Sequence, residues 1–233
     1  MSRGVLQRVL FVAADPRECL SWVDHWDHVK PLKLCVHWAR QGKWKGVDVV
    51  AVANGMGGDR ASAAIQAVEG VAKVCSIGYC GALEKKLQVG DVFIGNQVTN
   101  GAEAWTAKRP GGPAAKSGCV ASLDYIVQTA REKSALRAAG SSVVEMEAAG
   151  AARAAQALKV PFYCVKVVSD LADEDFANDF NHARLPNGKM NVSRLVMGAM
   201  LSPRRKLTEL IRLNSRTALA SKQLGDFLAN CTF

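Results

Sequence analysis

With 233 residues, 49% of them apolar, and a formal charge of +9, the chain is long enough to bury a sizeable core. Aromatic residues make up only 6% of it, which argues against a base-stacking surface for nucleic acid. No apolar run reaches the roughly 18 residues of a membrane-spanning helix, and Val9–Ala14 meets Asp15 and Pro16 too early for a signal peptide.

In chain order, strands are predicted at Val9–Ala14, Leu34–Trp38, Val47–Ala53, Val71–Gly78, Asp91–Val98, Gly118–Ser122, Ser141–Glu145 and Phe162–Ser169. Helices are predicted at Arg60–Glu69, Tyr125–Ala138 and Met146–Leu158, with two more at Ser193–Ser202 and Arg204–Leu228. Val47–Ala53 and Phe162–Val168 are almost continuously apolar, as in strands covered on both faces. The alternation predicts one α/β domain over 1–233, in three layers, with a central mixed, twisted sheet flanked by helices. Gly101–Lys116, rich in Gly, Pro and Ala, reads as a mobile loop. Leu207, Leu210, Ile211, Ala218 and Leu224 mark an amphipathic stripe. Residues 181–233 are therefore expected to pack on the sheet as a helical tail.

The charge is uneven. Residues 181–233 carry nine basic residues against Glu209 and Asp226, a balance of +7, which leaves the body nearly neutral. A solvated helical surface is the plainer reading and weak contact with a membrane surface the more specific one; no nucleic-acid partner is expected. The seven cysteines are odd in number and lack CxxC spacing, so they read as buried reduced thiols of a cytoplasmic protein. His25, His28 and His37 lie near Asp24 and Asp27, but this grouping reads as polar surface. No metal or cofactor is expected.

Three junctions can carry chemistry. Asn54-Gly55-Met56-Gly57-Gly58-Asp59-Arg60 follows a strand, so its glycines let backbone amides approach a ligand while the next helix aims its positive end there. The spacing is neither a dinucleotide fingerprint nor a P-loop, and a tight structural turn is the alternative. A parallel turn, Gly78-Tyr79-Cys80-Gly81-Ala82, closes the following strand. At Val143-Val144-Glu145-Met146-Glu147-Ala148-Ala149-Gly150 a strand enters a helix small enough to press on the sheet. Glu147, in the first turn, is expected to be ionised by the helix dipole and to accept hydrogen bonds from a vicinal diol, unless it is only a cap. Ser169-Asp170 ends an apolar strand, where ligands of α/β sheets collect. An apolar setting there keeps a proton available for general acid catalysis; the alternative is a cap for Asp173–Asp175.

From Val9 to Asp173 these residues resemble the purine nucleoside phosphorylase and nucleosidase superfamily, most specifically in Val144–Gly150 followed by Val168-Ser169-Asp170. The resemblance implies cleavage of a base–ribose bond. It places Glu147 on the ribose hydroxyls, Met146 against the sugar, and Gly81 and Met56 along the ribose and its 5′ side. Asp170, steadied by Ser169, would protonate purine N7, with Ile126 and Val127 flanking the base. Bacterial phosphorylases of this superfamily hold phosphate with one arginine after a Gly-Asp-Pro loop and another before a Gly-Ser-Cys-Gly-Ala turn. Here Glu18 and Ser76 stand at those positions and Tyr79 replaces the serine of the turn. A carboxylate there repels a dianion. Methylthioadenosine/S-adenosylhomocysteine nucleosidases instead carry a glutamate that aligns with Glu18 and activates water. The resemblance thus implies hydrolysis of an adenosine-type purine nucleoside, by the logic of an inverting glycosidase.

The chain also departs from that pattern. Arg17 beside Glu18 keeps phosphorolysis as an alternative. The basic tail and compact size resemble hopanoid-associated phosphorylases, which act on adenosylated lipids. Tyr79 and the altered acidic loop leave a non-catalytic nucleoside-binding module as a further alternative. Members of the superfamily form homodimers or larger homo-oligomers, which implies self-association.

Overall fold

The computed structural model describes residues 7–200 and 203–233. Four parallel strands form its middle, in the order β4 (Val47–Ala53), β1 (Arg8–Ala13), β5 (Val71–Ala82) and β10 (Phe162–Asp170). These are the most apolar runs of the chain, and every residue of β10 is buried. β3 (Trp38–Trp44) and β2 (Asp27–Pro31) extend the sheet antiparallel beyond β4. Beyond β10 lies antiparallel β6 (Val92–Thr99), with the short β7 (Ala104–Thr106) on its outer edge. Next come β8 (Lys116–Ser122) and β9 (Val143–Glu145), parallel to β6. β9 then returns to pair with β5. Because β10 bonds both β5 and β6, the strands β5, β10, β6, β8 and β9 close on themselves. Register slips at Gly95/Gln97 and Val168/Asp170 supply the local curvature this closure needs.

Helices cover both faces. Alternate residues of β1 point to opposite cores: Leu10 and Val12 to one, Val9, Phe11 and Ala13 to the other. The first core lies under α2 (Gly58–Gln66) and α4 (Ala148–Ala157), which contribute Ala61, Ile65, Ala151 and Ala155. The second lies under α1 (Arg17–Val23) and α7 (Pro203–Ala229), with Trp22, Leu224 and Leu228. Each fully buried leucine, tryptophan or phenylalanine contributes about 1.5–3 kcal/mol. The expected α/β architecture with a mixed, helix-flanked sheet is found, with one half of the sheet curled shut. α3 (Ala130–Ala138), α5 (Phe180–Ala183) and α6 (Val192–Met200) complete the element set described.

Several local expectations fail for identifiable reasons. Leu34–Trp38 is not a strand; only Trp38 belongs to one, at the start of β3. β2 and β3 escape a periodicity reading because β2 is the sheet's exposed edge and β3, next to it, has no alternating buried face. The seven-residue α1 is too short to show a helical period. α3 starts at Ala130 rather than Tyr125, since Asn181 binds both the N–H and the carbonyl of Ile126 (2.8 Å each) and holds that backbone open. Gly101–Lys116 contains β7 and is tied to Tyr163 and Thr232 by backbone bridges, so it is anchored at several points. α4 presses on the sheet, as expected, and also on α2: Gly150 meets the Gly58 carbonyl so closely that any side chain at 150 would collide with it. The expected end of the Ser193–Ser202 helix falls on 201–202, outside the described residues. Cys35 is exposed, against the expectation of buried thiols. His25 lies near Asp226 and His37 near Arg60, so the histidine grouping is dispersed. Among the described residues, no helix is long and apolar enough to cross a membrane.

Candidate active site

The carboxyl ends of β1, β4, β5 and β10 open into a cavity of about 940 Å³, at the large end of the range for small-molecule sites. Glu18, Met56, Tyr79, Gly81, Ile126, Val127, Met146, Glu147, Ser169 and Asp170 all border it. Positions separated by as many as 152 residues in the chain thus share one hollow, because each follows or ends a strand whose carboxyl end points the same way.

Glu18 sits in the first turn of α1, just past the end of β1. Its Oε2 accepts from the backbone N–H groups of Ala14 (2.8 Å) and Asp15 (2.9 Å), and its Oε1 from that of Tyr79 (2.9 Å). Burial pushes its pKa above the usual carboxyl value, opposed by these backbone donors and by Lys166. The turn at the end of β5 makes room for it. Gly78 has φ +127°, and a Cβ there would stand 2.6 Å from Glu18 Oε1. Gly81 does the same for the opposite acid, since a Cβ there would lie 2.8 Å from Asp170 Oδ1. Two bare positions three residues apart therefore seat both carboxyl groups.

Asp170 is not surrounded by the purely apolar wall expected of it. The ammonium of Lys133 lies 2.5 Å from Oδ1, and the Ser169 hydroxyl donates to Oδ2 at 2.9 Å. Nor does Asp170 cap a helix at Asp173–Asp175. That segment serves α3 instead, where Asp175 accepts from the Ala130 N–H (2.6 Å).

Glu147 is the N-cap residue of α4 rather than a first-turn residue. Its Oε1 accepts from the Gly57 N–H (2.9 Å). The expectation that the helix dipole keeps it ionised is overturned: burial, then the neighbouring Glu145, push its pKa up to about 8. Glu145 occupies the position that was expected for Glu147, accepting from the N–H groups of Glu147 and Ala148 at the start of α4. It is in turn paired with buried Lys166 (2.7 Å), which also donates to Ser76 (2.9 Å). Close to neutral pH Glu147 therefore carries a proton and can donate as well as accept hydrogen bonds.

Three amides of the 54–58 turn are already engaged with protein acceptors. Gly55 N–H donates to Ala14, Met56 N–H to Gly188 and Gly57 N–H to Glu147. The positive charge near Glu18 is also engaged, for Arg17 grips Asp15 through two contacts of 2.9 and 3.2 Å. The Tyr79 hydroxyl, by contrast, is buried without a hydrogen-bond partner among the described residues.

Several wall residues were not expected from the sequence. Phe176 and Phe180 pack edge to face, 5.0 Å between ring centres, beside Ile126. Val192, Val196, Leu207 and Ile211, from α6 and α7, form the rim. Lys133 supports the wall from behind. No local pattern announces these residues, because each is a single position on a loop or helix whose docking is set by distant contacts. No group of three or more His, Cys, Asp or Glu among the described residues is arranged to hold a metal ion.

Comparison with solved structures gives the same fold. A 5′-methylthioadenosine/S-adenosylhomocysteine nucleosidase from Neisseria meningitidis matches at TM-score 0.68 and 20% identity, over 95% of this chain and 97% of that one. The Campylobacter jejuni nucleosidase of the same name matches at 0.70 and 15%, over 95% and 96%. A futalosine hydrolase mutant of Helicobacter pylori matches at 0.67 and 17%, over 95% and 96%. The model of one family, described as the phosphorylase superfamily, matches residues 37–111 and 100–200, the stretch that supplies the glycine turns, the Glu145–Glu147 junction and the end of β10. On that match the chain belongs to the phosphorylase superfamily.

Proposed function

We propose that this protein cleaves the N-glycosidic bond of a purine nucleoside by hydrolysis, within a single domain that includes residues 181–233. One observation carries the reading: two buried carboxyl groups, Glu18 and Asp170, face one cavity from the two ends of the Gly78–Gly81 turn. Glu18 orients and deprotonates water, and a raised pKa makes it a better base near neutral pH. Asp170 delivers a proton to the departing purine, held by Ser169, while Ile126 and Val127 flank the base. Glu147 binds the ribose hydroxyls as both donor and acceptor, with Met146, Gly81 and Met56 along the sugar. The Tyr79 hydroxyl, buried without a hydrogen-bond partner among the described residues, adds a polar group near Glu18. The similarity in fold to nucleosidases supports the same class of reaction.

Hydrolysis is favoured over phosphorolysis by charge. Arg17 is already paired with Asp15, Lys166 with Glu145, and the amides of Gly55, Met56 and Gly57 with protein acceptors. A phosphate dianion would meet the Glu18 carboxyl with few free donors. Product analysis from adenosine, methylthioadenosine, S-adenosylhomocysteine and inosine tests this. Free adenine or hypoxanthine with ribose or its 5′-substituted form is expected, at a rate unchanged by phosphate. Sugar 1-phosphate as the product would show phosphorolysis, and no turnover of any nucleoside would leave a binding module.

One feature favours a specific substrate within this class. Val192, Val196, Leu207 and Ile211 border the cavity yet are 45–65% exposed, and basic Arg194, Arg204, Arg205 and Arg212 lie on the same two helices. An apolar rim on a basic surface suits an adenosine joined at its 5′ carbon to a lipid, presented at an anionic membrane surface. Adenosines with 5′-alkyl chains of increasing length should show falling KM, and the protein should sediment with anionic vesicles at low salt. A KM independent of chain length, or no vesicle binding at low salt, would refute this choice of substrate.

A further inference from the structure

α3 is an exposed, polar helix with one buried residue, and that residue is a lysine. Helices ordinarily dock through an apolar stripe. Here Lys133 reaches inward to two acceptors, Asp170 Oδ1 at 2.5 Å and the Leu171 carbonyl at 2.6 Å, and lies 5.3 Å from the centre of the Phe176 ring. Asp170 and Phe176 both border the cavity, so the ammonium is one side chain removed from bound ligand. Other charged or titratable groups near Asp170 are the Cys80 thiol on β5 and Arg216 on α7, and Arg216 is held by Glu174 (2.6 and 2.9 Å). Lys133 is the ammonium in contact.

An ionised carboxylate only accepts hydrogen bonds. The Lys133 ammonium, in direct contact with Asp170, is a proton donor on which that carboxylate can draw. We propose that the general acid is the Lys133–Asp170 pair, in which Lys133 stores the proton and Asp170 carries it to the base. This rests on the hydrolytic reading above. As the bond from N9 to C1′ breaks, its electron pair goes to the purine; Lys133 passes a proton to the Asp170 carboxylate, which passes it on to N7, so that Asp170 ends as the carboxylate and Lys133 as a neutral amine. Water bonds to C1′ and gives its own proton to Glu18. Exchange with solvent after product release then returns a proton to Lys133 and removes one from Glu18. Lys133 acts through Asp170 and is a positioning residue as well as a proton store.

The test compares the intact wild-type protein with K133M and K133R on a purine nucleoside and on 4-nitrophenyl β-D-riboside, whose leaving group departs without a proton. K133M should lose about 10²- to 10⁴-fold in kcat/KM on the purine nucleoside at neutral pH, the usual worth of a proton-transfer group. Lowering the pH should restore part of its rate, because a proton from solvent then takes the place of the one that Lys133 supplied. Its rate on the nitrophenyl riboside should stay at the wild-type value. K133R keeps the charge but cannot give up a proton, so it should resemble K133M. A K133M enzyme with the wild-type purine rate at every pH overturns the proposal. So does one that loses both substrates equally, or a K133R enzyme restored to full purine activity. A wild-type protein that turns over neither substrate refutes the hydrolytic reading itself.

Discussion

Asp170→Asn and Glu18→Gln should each lower kcat/KM for a purine nucleoside by about 10²- to 10⁴-fold, the range for losing a positioned acid or base. Both variants should also lose stability, for different reasons. An asparagine at 170 keeps an oxygen for Lys133, and its amide can donate to the Ser169 hydroxyl, which has a second acceptor in the Cys80 carbonyl at 3.3 Å. It leaves the fully buried Lys133 ammonium without the charge opposite it, however, so its melting temperature should fall. Glutamine at 18 loses stability because both oxygens of Glu18 accept from backbone N–H groups. Whichever way the amide turns, its own NH2 faces a donor, at a cost of about 1–3 kcal/mol. Calorimetry of the two variants checks both losses, and a wild-type melting temperature in either would contradict the contacts of that residue. Near wild-type rates in either variant would remove that residue from the mechanism.

Between pH 4.5 and 8 the ligand-free protein should lose stability as pH rises, and Glu147→Gln should flatten that trend. Burial and Glu145 hold the folded Glu147 up to about 8, against an ordinary value of 4.5. In that window the folded state binds a proton that the unfolded state has released, so the contribution present below 4.5 is lost progressively as pH rises through 8. One proton sets a maximum slope of about 1.4 kcal/mol per pH unit. Glu18, also raised by burial, leaves a residual slope of the same sign in the variant. Denaturant midpoints measured across this range decide the matter: a wild-type slope that is zero or positive, or one unchanged in Glu147→Gln, rules out a protonated Glu147. If the carboxyl carries a proton it can offer a hydrogen bond to the ribose diol, so Glu147→Gln should bind nucleoside better than Glu147→Ala.

Much of the fold was legible because local pattern and burial agree. Val47–Ala53 and Phe162–Val168 read as strands covered on both faces, and the structure buries them in the parallel middle of the sheet. The elements that were misread are those whose conformation comes from elsewhere. β2 is an edge strand exposed throughout, and β3 beside it lacks a buried alternating face to betray it. The 125–129 segment is kept out of α3 by Asn181, about 55 residues away, whose amide replaces the helical hydrogen bonds of Ile126. The closed ring of β5, β10, β6, β8 and β9 depends on β10 pairing on both sides, which no local pattern records.

By itself the sequence determined which short segments could bear ligand-facing groups, since glycines and acids at strand ends are visible one junction at a time. It could not determine the environment of each acid. Glu145 and Glu147 stand two residues apart with the same chemistry. Only the folded chain decides that Glu145 meets the first amides of α4 and the Lys166 ammonium, while Glu147 is left buried with a single donor, Gly57. Likewise nothing near residue 170 in the chain announces Lys133, which reaches Asp170 across 37 positions. Charge state follows from desolvation and from charges within a few ångströms, and both are properties of tertiary contact rather than of chain order.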